Sequence, residues 1–489
     1  MMVLVRLFLS FLTAYFYGRA IYCYFTSSKY KHSLISKLHS FFIGLAFTSI
    51  TFWYYTVITK GNNSNFHVVE ICFIVIIYFF KSLRNRKIML LQRPLNSSLD
   101  ISTIKETVSS EKKLERSIAN NKPLSTEVDV SSNKVLYNKK KSILDYIAQI
   151  IIFLIVLLFF FRCLRFPDGA WDAFAIWNLK AKFLACGNES WLEMFSDYYD
   201  YIHCDYPLFL PCVVARLFNY AHGTVTIIPL ILSCFFSINC FILTYLYLKQ
   251  FKNHYYAIFA LCVLVFSPNI LNESSNQYSD IPLAVYFLIS LYEIIIWDIK
   301  SKKLPWICII ISSLSFWIKN EGAPWFIIYC LLILFYMYKK EGKQKNYFKK
   351  YMKVITVSFP VLITILSVKY LANFTNDLVL GFSERLKQIL ILERYKEIIA
   401  YYFSFIKTHF WIAIIPTILI SKFIDNRYCK YKYLLYLILF MYICYFFIYL
   451  ITPHNLEWHL ECSFSRISTV YLPSLMFLGC LLFDFKKNK

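Results

Sequence analysis

The feature that most constrains this chain is its series of apolar runs, each about as long as a membrane is thick, repeated from one end of the sequence to the other. A helix of roughly 20 apolar residues crosses a hydrocarbon core of about 30 Å. With 58% hydrophobic residues and a mean hydropathy of +0.51, the chain reads as a polytopic integral membrane protein. A backbone in lipid must satisfy its own hydrogen bonds, which leaves helices and closed barrels. The alternating pattern of a barrel strand is missing, so the expected fold class is all-α. The 47 Phe and 39 Tyr then read by default as packing against lipid and neighbouring helices.

Taken in order, the runs predict about thirteen spans. They lie near 2–25, 38–59, 66–81, 143–161, 225–248, 255–271, 281–299, 304–319, 322–338, 354–372, 399–420, 433–451 and 467–484. Loop charge sets their direction. The basic connections are Lys29 to Lys37, Lys81 to Lys141, Lys249 to His254, Lys300 to Lys303, Lys339 to Lys353, Lys422 to Lys432 and the tail Lys486 to Lys489. All fall on one side when the spans alternate, which predicts a cytoplasmic membrane protein with its N-terminus outside and its C-terminus in the cytoplasm. The net charge of +23 is thereby explained by orientation, and nucleic acid is not an expected partner.

Residues 1–82 form an N-terminal three-helix segment, 83–142 a polar insertion expected to be cytoplasmic and mobile, 143–484 the membrane core and 485–489 a cytoplasmic tail. No repeat of fixed period is visible, which argues against transporters built from inverted repeats. The first run, Met2 to about Phe25, is long enough to span and is followed by a basic loop, so no cleavable signal peptide is expected. Pro207 to Tyr220 is apolar but too short to cross, and counting it would invert every later loop, so it is read as an interfacial helix. Residues 162–224 then make one long outer loop carrying short surface helices. Most of the 15 Cys sit singly in apolar segments as small buried hydrophobes. Cys186, Cys204 and Cys462 lie outside the spans, where pairing is open.

With this topology the unusual polar residues collect on the outer face. The loop after the fourth span reads F-P-D-G-A-W-D-A-F-A-I-W-N-L-K-A-K and carries Asp168, Asp172, Lys180 and Lys182, with Asp205 further on. S-D-I-P-L-A supplies Asp280, W-I-K-N-E-G supplies Lys319, Asn320 and Glu321, and the last outer loop, 452–466, supplies His454, His459 and Arg466. A translocation path would place ionisable groups near the bilayer centre. Carboxylates with Lys, Arg and His at a membrane edge suit catalysis instead: a general base beside positive charge for a departing phosphate.

Five segments in order, W-D-A-F-A-I-W-N-L-K-A-K, D-Y-P-L-F-L-P, S-D-I-P-L-A, K-N-E-G and T-P-H-N-L-E-W-H-L-x-x-S-x-x-R, resemble bacterial membrane glycosyltransferases of the GT-C fold. These are relatives of protein O-mannosyltransferases and of the lipid A aminoarabinose transferase. The resemblance covers about residues 143 to 484, and the first three helices add little to it. It implies a GT-C-like core and transfer of a sugar from a polyprenyl-phosphate carrier to a glycan, lipid or protein acceptor outside the cytoplasmic membrane, with inversion. It further implies an acidic base early in the first outer loop. Asp172 matches that place best and Asp168 second.

Each residue also has a plainer reading. Asp168, between Pro167 and Gly169, fits a turn or an N-cap. Asp172 falls inside the following helix, where capping no longer accounts for it. Lys180 and Lys182 suit either phosphate contact or snorkelling at the interface. Asp205 and Asp280 each precede a helix start and suit capping as well as substrate contact. Asn320 and Glu321 sit in a tight turn, and His459 and Arg466, seven residues apart, suit one helical face turned to a phosphate. The His454, His459 and Cys462 spacing fits no standard zinc pattern, so no metal and no other cofactor is expected. Two rivals remain: a lipid or polysaccharide transporter, and a polymerase or ligase of surface polysaccharide using a pyrophosphate-linked lipid.

Overall fold

The computed structural model describes residues 2–26, 33–91, 143–300, 304–341, 346–373, 382–408 and 429–483. Among them every regular element is a helix. The chain divides into two compact units, Met1–Ile74 with Leu144–Lys489, and Val75–Ile143. The expected insertion falls from residue 92 onward outside the described residues.

In chain order the helices are α1 Met2–Phe25, α2 Leu34–Ile58, α3 Phe66–Leu91, α4 Ile143–Arg165, α5 Asn178–Cys186, α6 Phe209–Ala221, α7 Ile227–Phe251, α8 His254–Val265 and α9 Pro268–Asn276. They continue as α10 Asp280–Lys300, α11 Trp306–Ile318, α12 Gly322–Glu341, α13 Tyr347–Ile355, α14 Phe359–Leu371, α15 Phe382–Arg385, α16 Leu392–Thr408, α17 Lys432–Leu450 and α18 Leu456–Leu482. Among the described residues nine helical segments are long and apolar enough to cross a membrane, or ten with the bent pair α8 and α9. The protein is a helical, multi-pass membrane protein.

The differences from the thirteen expected spans have local causes. The run 255–271 is broken: Ser267 and Pro268 follow α8, Pro268 lacks the N–H that would continue the ladder, and α9 leaves at 68°. The run near 304–319 is a helix of only 13 residues, α11, ended by an extended Lys319. The run 66–80 is also too short to pass the same test, although its helix continues to Leu91. The span expected at 399–420 begins in α16 and passes out of the described residues at 409.

The core is built around α10 and α18, which pack against each other and are buried over nearly their whole length. Helix α4, by contrast, is mostly exposed and apolar, as a lipid-facing helix should be. Helices α1 and α2 meet through small residues: a Cβ on Gly44 would lie 1.7 Å from the Ala14 carbonyl oxygen, and one on Gly18 1.8 Å from that of Ser40. Without side chains in the way the two backbones touch, and dispersion between them replaces contact with lipid.

Helix α6 is the chief correction to the expected topology. Its length rules out a span, as expected, but it does not present one apolar face at a surface: every residue except Asn219 is buried. Helices α1 and α2 cover it on one side and α5 and α7 on the other. Its Arg216 donates through Nε and Nη2 to the Glu70 carboxylate at 2.9 and 2.8 Å, and through Nη2 to the Ser10 carbonyl at 2.8 Å. The first helices are therefore packed into the same unit as the core. Asn63 donates to the Leu184 carbonyl at 2.8 Å, and Trp53 meets Trp191 edge to face. Both contacts hold the loop that follows α4.

Candidate active site

Four segments distant in sequence bring charged side chains to one cavity of about 530 Å³, and a fifth, the start of α10, sets Asp280 behind its wall. Asp172 stands where the loop after α4 enters a π-helical turn, Ala173–Trp177, that runs straight into α5. Such wide turns displace side chains from the regular helical positions. Asp280 is the first residue of α10, and a carboxylate there faces the positive end of the helix dipole. Lys319, Asn320 and Glu321 make the turn between α11 and α12. Gly322 closes that turn because a Cβ would lie 2.1 Å from the Ser315 carbonyl oxygen. Arg466 lies on α18, about three turns from its N-cap Asn455, whose side chain accepts from the Trp458 N–H.

These groups form a single chain of alternating charge. Arg466 Nη1 donates to Asp172 Oδ2 at 2.7 Å and Nη2 to Asp280 Oδ2 at 3.0 Å. Lys319 Nζ donates to Asp280 Oδ1 at 3.0 Å and pairs with Glu321 Oε1 at 2.9 Å. Asp280 is buried at the centre, behind the wall, while Asp172 and Glu321 at the two ends open on the cavity. Three carboxylates thus share two cations. The Arg466 guanidinium also lies 4.4 Å from the centroid of the Tyr278 ring, whose phenol is pushed up to about 12 by burial and by the Asp172 charge.

A second cluster stands beside it. Asp205 accepts from Lys369 Nζ at 3.1 Å and from Asn320 Nδ2 at 2.9 Å, and Lys369 also donates to Asn320 Oδ1 at 2.9 Å. Asn320 therefore joins the two clusters through the one turn that carries it. His203 and Tyr206 stack at 4.8 Å along this wall. His459 lines the opposite wall, its Nδ1 2.7 Å from Thr452 Oγ1 and its ring beside Tyr449 and His454. Met441, Cys444, Tyr445 and Ile448, one stripe of α17, give the cavity an apolar side.

Of the residues singled out from sequence, Asp172, Asp205, Asn320, Glu321, His459 and Arg466 line this cavity. Asp280 sits directly behind it. Three do not belong. Asp168 is exposed in the Pro167–Gly169 turn, where Gly169 takes φ +75°, and the turn explains it. Lys182 is exposed on the far side of α5 from buried Lys180 and Ala181. Lys180 is wholly buried, donates to the His203 carbonyl at 2.6 Å and braces Tyr206 from behind. Burial holds its amine down at about 8, so Lys180 is a buried tie of the loop rather than a contact to a ligand in the cavity. Burial and the nearby Glu321 push the Tyr206 phenol well up.

No protein family, curated protein or solved structure matches the chain. The chemistry must be argued from the cavity itself. Sequence reasoning named Lys319 without giving it a role and missed Lys369, whose signal was a single cation near the end of an apolar run. It also missed Tyr206 and Tyr278, which nothing distinguishes from the other 37 tyrosines. Among the described residues Cys186, Cys204 and Cys462 form no disulfide, and Cys204 turns its Sγ to the Met194 carbonyl. No three His, Cys, Asp or Glu side chains are placed to hold a metal ion among the described residues.

Contrary to the expectation that the unusual polar residues collect on one face, buried charge is not confined to the cavity. His39 Nδ1 lies 2.5 Å from Glu293 and its Nε2 2.5 Å from the Tyr247 hydroxyl. Glu293 is on α10, about 20 Å along the helix from Asp280 at 1.5 Å per residue, and neither it nor His39 lines the cavity.

Proposed function

We propose that this chain is an inverting glycosyltransferase that moves a sugar from a polyprenyl-phosphate carrier to a hydroxyl of an envelope glycan, lipid or protein, at the outer face of the cytoplasmic membrane. The observation that carries the reading is the Asp172 carboxylate on the wall of a cavity that also presents Arg466 and Lys319. A base and two cations facing one space are what a reaction with a nucleophilic hydroxyl and a phosphate leaving group needs. The five-motif resemblance to GT-C enzymes points the same way, and the apolar stripe of α17 suits a lipid-linked donor.

The acceptor hydroxyl gives its proton to Asp172 as its oxygen attacks the anomeric carbon. The bond from that carbon to the phosphate oxygen breaks, and its electron pair stays on the phosphate, where Arg466 and Lys319 offset the growing charge. The products are the glycosylated acceptor, the polyprenyl phosphate and a protonated Asp172, which returns its proton to water. Attack from the face opposite the phosphate inverts the anomeric centre. The aromatic rings of Tyr206 and Trp458 offer faces on which a sugar stacks.

The test is transfer of labelled sugar from a polyprenyl-phosphate sugar by the purified protein in liposomes, followed by product mass. Transfer of one sugar supports the reading, and transfer of a preassembled chain favours a polymerase or ligase. The transporter alternative draws on the buried His39–Glu293 pair, since an ionisable pair inside membrane helices often marks a transport path. Movement of the lipid-linked sugar across the bilayer without any glycosidic product would favour it.

A further inference from the structure

If Asp172 is the base, the site at rest keeps it occupied. Its Oδ2 accepts the Arg466 Nη1–H at 2.7 Å, and a lone pair engaged by a guanidinium is not free to take a proton. The same guanidinium is one of the two cations available to a phosphate in the cavity. Arg466 therefore has three partners in prospect and two faces on which to hold them.

The geometry shows which contact yields. Asp280 is 1% exposed and is held by Lys319 as well as by Arg466, so breaking its pair with Arg466 strips a charge deep in the protein. Asp172 is 22% exposed and opens on the cavity, and its carboxylate has only Arg466 as a hydrogen-bond partner among the described residues. Water can take over its carboxylate when the arginine leaves. A further observation marks the resting position as unsettled: among the described residues Arg466 Nε is buried without a hydrogen-bond partner. A buried donor left unmatched is costly, so a small rotation that satisfies it offsets part of the loss of Asp172.

We propose that Asp172 and the phosphate of the incoming ligand compete for Arg466, so that phosphate binding releases Asp172 toward the cavity and arms it as the base. This inference rests on the reading of the ligand as a polyprenyl phosphate. It makes binding ordered: the phosphate enters first, and only then is the carboxylate free to accept the acceptor's proton. Arg466 serves as lock in the empty site and as phosphate clamp in the filled one, while Asp280 and Lys319 hold it through the exchange.

The experiment measures binding of farnesyl phosphate, a soluble polyprenyl monophosphate without sugar, to the full chain in lipid nanodiscs. Competition predicts that D172N binds it about tenfold more tightly than the wild type, because one rival anion is gone. D205N removes a cavity carboxylate that pairs with Lys369 instead, and its gain should be clearly smaller. If D172N binds equally or more weakly, Asp172 orients Arg466 rather than competing for it, and the inference is overturned. An equal gain in D205N overturns it too, since the effect is then the general charge of the cavity. If neither wild type nor variant binds the probe, the polyprenyl-phosphate reading falls together with this inference. Binding by the wild type without a gain in D172N removes the inference alone. The wild-type measurement and the D205N arm do not depend on an arginine variant that fails to fold.

Discussion

At the scale of single residues, position separates groups of similar chemistry. Asp168 and Asp172 are both acids of one short loop, yet the first sits in an exposed turn and the second faces the cavity across from Arg466. Under the proposed chemistry Asp172→Asn should lower sugar transfer by about 10²–10⁴-fold, the usual worth of a general base, with an unchanged melting profile in detergent. Asp168→Asn should leave transfer near wild type in the same assay. Equal losses in the two variants would remove the distinction. Lys180 yields a pH test. Its amine is held down at about 8 in the fold against about 10.4 in the unfolded chain. Below pH 8 both states carry the proton and the cost of burying the charge is fully present. Between 8 and 10.4 the unfolded chain binds more protons, so a rise in pH favours the folded state at this residue. The Tm of the wild type relative to Lys180→Met should therefore climb between pH 7.5 and 10, and a constant difference would contradict the burial of a titrating amine.

At the scale of elements, the site depends on helices that contribute nothing to its wall. Helix α6 carries no cavity residue, but through Arg216 it ties α1 and α3 to the loop region ahead of it. Glu70→Gln leaves a fully buried guanidinium without its counter-charge, a loss of about 3–5 kcal/mol. Thermal unfolding in detergent should show it, and a fall below about 1 kcal/mol would mean that water reaches the pair. Gly44→Val tests the α1–α2 seam. Its Cβ has no room beside the Ala14 carbonyl, so the helices must separate and Tm should drop although no charged group changes. Helix α2 and the turn after it, which carry none of the five motifs, thus brace the loop at Leu184 and Trp191.

At the scale of the whole molecule, the orientation read from loop charge is open to direct test. Cys186 and Cys462 are exposed outside the helical interior, and Cys462 lines the cavity. Under the proposed topology a membrane-impermeant maleimide added to intact spheroplasts should label both. Labelling only after the membrane is permeabilised would invert the topology and move the cavity to the cytoplasmic face.

The sequence alone determined the class of the molecule. Long apolar runs leave a backbone no option but helices in lipid, and that conclusion holds without any contact being known. Six of its ten named site residues also reached the cavity wall, because motifs at helix ends fall at the same level of a bundle whatever the packing. What the sequence could not determine is which ends meet. The placing of Lys369 beside Asp205, the burial of Lys180, the pairing of Arg466 with both Asp172 and Asp280, and the enclosure of α6 all follow from contacts across long stretches of chain. Periodicity reports the polarity of a helix face and is silent on the neighbour that covers it. The tertiary structure decided that an arginine on the last helix lies within hydrogen-bond reach of an aspartate from the first loop of the core, and from that one contact both the proposed chemistry and its proposed control are argued.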